Sequence, residues 1–117
     1  MIRRENELGA LSIGNNVYTQ IAGNAATQCF GVKGMAMRSM ADGLIHLLRR
    51  ASLAKGVFVH INEDETLSID LHIVVDQGIN LVALSNSIVS EVRYMVSKQT
   101  DTEVKEVNVM VDSLMID

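Results

Sequence analysis

Proline is absent from this 117-residue chain, tryptophan is absent too, and cysteine occurs once. A single cysteine, Cys29, excludes an intramolecular disulfide and fits a reducing compartment. Aromatic residues amount to 3%: Tyr18, Phe30, Phe58 and Tyr94. Single-strand nucleic-acid binders stack bases on aromatic platforms, and this chain has little to build one with. The apolar runs are too short for a transmembrane helix, and no apolar stretch follows Arg3 and Arg4 as it would in a secretory signal. These absences lead us to expect a soluble cytoplasmic protein.

What is present is a core. Hydrophobic residues make up 48% of the chain and charged residues 21%, the balance of one globular domain over residues 1–117. The net charge of −4 is unevenly spread. Positions 33–55 hold Lys33, Arg38, Arg49, Arg50 and Lys55 against Asp42 alone, whereas positions 56–117 are strongly acidic. Such polarity orients an acidic partner or supports head-to-tail self-association.

Hydropathy periods divide the chain into seven elements. Leu8 to Gly14 reads as a short strand, with Asn15 or Asn16 placed to cap a helix. Val17, Ile21, Ala25 and Cys29 recur every four residues beside Ala22 and Ala26, a stripe of small side chains that packs close to a sheet. From Met35 the positions Met37, Met40, Ala41, Leu44, Leu47, Leu48 and Ala51 predict a second helix ending at Lys55-Gly56. Gly43 costs that helix about 1 kcal/mol relative to alanine, which leaves a loop over part of Met35–Met40 as the alternative. Val57, Val59 and Ile61, then Leu67, Ile69, Leu71, Ile73 and Val75, alternate as two strands of an antiparallel hairpin. Asn80 caps a long helix with the stripe Leu81, Leu84, Ile88, Val92 and Met95, and Val104 to Val111 closes the chain as a strand. The order strand, helix, helix, strand, strand, helix, strand predicts an α+β domain. Its mixed or antiparallel sheet has about four strands, with two or three helices packed on it.

Catalytic and metal signatures do not emerge. If Val59 faces Ile69, His60 sits opposite Ser68 and about 13 Å from His72, too far to share a zinc ion. His46 falls on the basic segment, and Cys29 on an apolar stripe, where a thiol packs as a small hydrophobe. Glu63, Asp64 and Glu65 are turn residues, and Asp70 and Asp76 have no partnered acid, so no cofactor or enzymatic activity is expected. Met35, Met37 and Met40 fit core filler better than a permissive partner groove. The loop Gly31-Val32-Lys33-Gly34 supports a different reading. Between two helices, a GxxG turn with a lysine is how KH domains approach a nucleic-acid backbone. The bland alternative is a tight turn needing two positive φ values. The other candidate contact is a partner surface of Lys33, Arg38, His46, Arg49, Arg50 and Lys55, facing an acidic protein or anionic lipid.

Taken in order, several short patterns resemble the alkaline-shock-protein (Gls-type general stress) family of mostly Gram-positive bacteria, over nearly the whole chain. They are Gly9-x-Leu11-x-Ile13, Val17 to Ile21, Ala25-Ala26, Gly31-Val32-x-Gly34-Met35, Gly56-Val57-x-Val59, Ile69-Asp70-Leu71-x-Ile73 with Gly78, and Val107-Asn108-Val109-x-Val111. Asp42-Gly43-Leu44 to Leu48-Arg49-Arg50 looks like a short subgroup whose gene often neighbours a fatty-acid kinase of the dihydroxyacetone-kinase type. The chain departs from the family where a Tyr-Gly is Gln77-Gly78, where Ile-Pro-Glu-Val is Asn80-Leu81-Val82-Ala83, and where a Thr-Gly is Thr100-Asp101. The resemblance implies a non-enzymatic adaptor or scaffold linked to envelope stress or lipid homeostasis. It implies protein partners, among them a membrane anchor protein or a neighbouring lipid kinase, and a homo-oligomer. Nucleic-acid binding through Gly31–Gly34 stands as the alternative.

Overall fold

The computed structural model describes residues 2–38, 45–48 and 56–115. The chain runs β1 (Ile2–Asn6), β2 (Gly9–Ile13), α1 (Asn15–Thr27), β3 (Val32–Arg38), β4 (Ile45–Leu48), β5 (Val57–Ile61), β6 (Leu67–Asp76), α2 (Leu81–Thr100) and β7 (Val104–Met115). It is an α+β fold with a two-stranded hairpin and a five-stranded mixed sheet. The sheet is built around β6. On one edge β7 runs parallel to it over its whole length, from Leu67↔Val104 to Asp76↔Met115. Helix α2 makes the crossover that a parallel pair requires. The other edge is shared by two antiparallel strands: β5 pairs with Leu67 to Leu71, and β3 pairs with Ile73 to Val75.

Alternation in β6 explains this centrality. Leu67, Ile69, Leu71, Ile73 and Val75 point one way and are fully buried, in the core they share with Ile88, Val92 and Val96 of α2 and Ala22, Ala25 and Ala26 of α1. The predicted hairpin register holds: Val59 pairs with Ile69 and His60 with Ser68. Its turn is a three-residue loop, with Asn62 and Thr66 closing it and Glu65 in the left-handed region at φ 65°. The Asp64 carboxylate accepts from the Thr66 hydroxyl and backbone N–H, which holds its pKa below the usual value.

Helix α2 follows its sequence pattern, rotated slightly. Asn80 caps it by accepting from the Ala83 N–H at 3.0 Å, and the buried stripe is Leu84, Ile88, Val92, Val96 and Thr100, with Leu81 left exposed. Helix α1 is also rotated relative to expectation. Neither asparagine caps it, since Gly14 is the N-cap and makes no side-chain bond. Its buried face is Tyr18, Ala22, Ala25 and Ala26, and Val17 is exposed. Tyr18 can be buried because its hydroxyl meets Thr102 Oγ1 at 3.0 Å, pairing a polar group that would otherwise be costly inside.

The expected opening strand is β2, and it pairs with a strand the hydropathy pattern did not mark, β1, in a hairpin whose base pair Ile2↔Ile13 is buried in the core. One expectation is overturned. The predicted helix from Met35 is strand where it is described: Met35↔Leu48, Ala36↔Leu47, Met37↔His46 and Arg38↔Ile45 form an antiparallel ladder. Short apolar runs satisfy both periods, and here the open edge of β6 beyond Leu71 selects the extended form. Met40, Ala41, Leu44 and Ala51 of that expected helix lie outside the described residues.

Two backbone positions carry consequences. Gly56 sits where β5 succeeds β3 along β6: a Cβ there would lie 2.8 Å from Met35 Cβ, 3.1 Å from the Ala36 carbonyl oxygen and 3.2 Å from that of His72. Backbone oxygens cannot swing aside, so Gly56→Ala is expected to destabilise the fold by about 2–3 kcal/mol, read by denaturant unfolding. Asp101 ends α2 in the left-handed region at φ 53°, where its N–H donates to the Ser97 carbonyl. Glycine takes that conformation without Cβ strain, so Asp101→Gly is expected to stabilise by about 1 kcal/mol. Thermal denaturation would then show a Tm higher by roughly 4–8 °C.

Candidate functional site

The end of α1 and the start of α2 enclose a cleft of about 560 Å³, lined by Gln28, Cys29, Phe30, Ile79, Asn80, Ala83, Leu84, Ser87 and Glu91. Local chemistry builds it. Helix α1 stops at Thr27, and Gly31 turns the chain into β3 with φ 103°, a value glycine adopts at little cost. The Gly31 carbonyl accepts from the Asp76 N–H at 2.9 Å, tying this turn to the end of β6. Ile79 packs under the turn so closely that a Cβ on Gly31 would stand 3.2 Å from it. Between helix end and glycine, Phe30 lines the cleft and is 89% exposed.

Ile79, Ala83 and Leu84 give the cleft an apolar wall, and Glu91 is its charged lining residue. The Cys29 thiol donates to the Ala25 carbonyl at 3.7 Å. Burial pushes its pKa above the ordinary value, and the Glu91 carboxylate raises it further. A thiol held protonated in this way is a poor nucleophile. The cleft therefore offers an apolar recess, an exposed aromatic rim and one carboxylate, which suits binding better than bond-making.

The sequence-derived sites fare unevenly. Gly31–Gly34 is not a loop between two helices. Gly31 alone of the two glycines has positive φ, Val32 opens β3, and Gly34 is a buried strand residue paired with Val74. Gly31 is explained by its turn and by Ile79, so the KH-like clamp has no structural basis. Lys33 lies at the bulge between Val32 and Gly34, with Nζ 3.2 Å from Asp76 Oδ1. Arg38 ends β3 and His46 lies in β4, opposite Met37. Arg49, Arg50 and Lys55 lie outside the described residues. His72 is engaged by Asp112 at 2.9 Å and by the Phe58 ring edge, with centroids 5.6 Å apart.

Sequence reasoning missed the cleft. Phe30 lies on no apolar stripe, and the contact of Ile79 with Gly31 joins residues far apart in the chain. The available signal was an aromatic placed directly before a glycine at a helix end, in a chain with very few aromatics.

Because Cys29 is the sole cysteine, its alkylation reports on the cleft directly. Glu91→Gln removes the anion that disfavours the thiolate. The midpoint of the pH–rate profile with iodoacetamide is expected to move to lower pH. It should stay above that of a free cysteine, since burial is the larger cause. An unchanged midpoint would place the two groups apart.

Comparison with known proteins places the whole chain. It is 31% identical over 116 residues to the uncharacterized protein YloU of Bacillus subtilis (strain 168), covering 98% of this chain and 96% of that one. It is 31% identical over 109 residues to the uncharacterized protein Spy1614 of Streptococcus pyogenes serotype M6, covering 92% and 89%. To the uncharacterized protein YqhY of Bacillus subtilis it is 26% identical over 117 residues, covering 100% and 85%. No solved structure matches. The described helices are too short or too polar to cross a membrane. A family profile matches residues 3–116, and the chain accordingly belongs to the alkaline shock protein 23 family, whose function is cell envelope-related.

Proposed function

We propose that this chain is a non-enzymatic interaction protein that brings a cytoplasmic assembly together in the service of the cell envelope. The observation that carries this reading is Phe30, 89% exposed at the rim of a cleft whose walls are apolar. An aromatic residue so placed gains little by folding and much by docking, and aromatics are over-represented among the residues that dominate interfaces. The cleft fits an apolar side chain of a protein partner next to a lysine or arginine that meets Glu91. A membrane anchor protein or a lipid kinase is the kind of partner this reading calls for. The basic stretch with Arg38, His46, Arg49, Arg50 and Lys55 is a second contact, for an acidic protein surface.

The test is a native pull-down of the tagged protein from cells, with and without nuclease and detergent. Partners that survive nuclease are expected with the wild type and lost with Phe30→Asp, an exposed change that leaves the fold intact. Equal capture by the variant would overturn the cleft as the contact. Partners that vanish with nuclease would overturn the protein-adaptor reading itself.

A further inference from the structure

Strand β7 is an outer strand: among the described strands it pairs with β6 and no other. An outer strand twelve residues long is an open template for another strand unless something blunts it. Here the blunting lies toward the two ends: Arg93 Nη2 donates to the Lys105 carbonyl at 2.9 Å, and the pairing with β6 shifts register at Lys105 and again at Asp112. Beyond Glu106 come Val107, Asn108, Val109, Met110 and Val111, five residues with neither charge nor proline. Beside this stretch, α2 and β7 form an apolar groove of about 270 Å³ that includes Leu81, Val82, Val109 and Val111. Val82 is 73% exposed and Leu114, farther along the strand, 51%. An unpaired strand edge and an exposed apolar groove are separate observations, and they fall on the same side of the molecule.

We propose that two copies of this chain join through β7, edge to edge and antiparallel, about a two-fold axis at Met110. Three features favour a second copy as the occupant. Each copy presents β7 already extended, so pairing carries little of the ordering cost a disordered peptide would meet. Counted along the strand from that axis, Val109 opposes Val111 of the second copy twice and Met110 opposes Met110. Those pairs fall between the two register shifts of β7, where the strand runs regularly from Glu106 to Val111. Main-chain hydrogen bonds supply the affinity, and Leu81, Val82 and Leu114 of both copies close over the seam. The inference deepens the scaffold reading by doubling the cleft at Phe30, but its test needs no partner.

Residues 56–117 carry eleven acids against three bases, so two copies repel at long range. Salt screens that repulsion, and dimerisation is expected to strengthen as salt rises, the reverse of docking by a basic partner. Sedimentation velocity of the full chain, from low to several hundred micromolar and at low and high salt, should show a monomer–dimer equilibrium. Val82→Lys, at an exposed position that leaves the fold intact, should abolish it. For the geometry, Cys29→Ser combined with Met110→Cys should oxidise to a disulfide-linked dimer, since directly opposed antiparallel residues lie within disulfide reach. Cys29→Ser with Phe58→Cys, on the outer strand β5, should crosslink far more slowly. A monomer at every concentration would overturn the proposal, as would a dimer indifferent to Val82→Lys or one crosslinked faster at Phe58. A monomeric protein that still captured partners through Phe30 would sink this inference while leaving the adaptor function standing.

Discussion

The burial of β6 on one face and its pairing on both edges is the constraint on which the rest depends. Five apolar side chains of this strand are fully buried, and its backbone groups are committed to three other strands. Such a strand can neither shift by one residue nor be replaced from outside, because a slip would turn its apolar set away from the helices. Position in the fold then follows from distance to β6. The adjacent strands carry the register-specific features, including the bulge at Lys33 and the Gly56 joint, and the variable chemistry lies at the periphery.

How much of this was legible depended on whether a segment's partners were near in sequence. The β5–β6 hairpin was readable to the register, since its alternation and turn are local. The long helix and its Asn80 cap were readable for the same reason. The segment from Met35 was not. Its apolar spacing fits a helix as well as a strand, and the choice is made by β6, a partner nearly forty residues on. On α1 the stripe was placed on Val17 rather than Tyr18, whose burial depends on a hydrogen bond to Thr102, far away in the chain.

The candidate site was less legible than the fold. GxxG drew attention as a phosphate clamp, yet Gly31 answers to a turn and to Ile79, and Gly34 to strand pairing. The resemblance to a known family was sound because it rested on many positions in order rather than on any one motif. Several of those positions now have a mechanical reason. Gly56 marks a joint without room for a side chain, and Gly31 turns the chain over Ile79 at φ 103°. The surfaces that remain for function, the Phe30 cleft and the β7 groove, both adjoin the first turns of α2 but have no lining residue in common.

The Tyr18–Thr102 bond joins residues 84 apart in sequence, and Arg4 reaches the Asp101 carbonyl from farther still. In kinetic terms these are the contacts of highest order in the molecule, and closing so long a loop is the slowest kind of event in folding a small domain. The β5–β6–α2–β7 portion has its pairings within one stretch of chain, so it is expected to form ahead of them. The amino-terminal hairpin and α1 are then expected to dock last. Pulse-labelled hydrogen exchange would show amides of β1 and α1 protected after those of β6. Simultaneous protection would mean that the two halves of the chain condense as one.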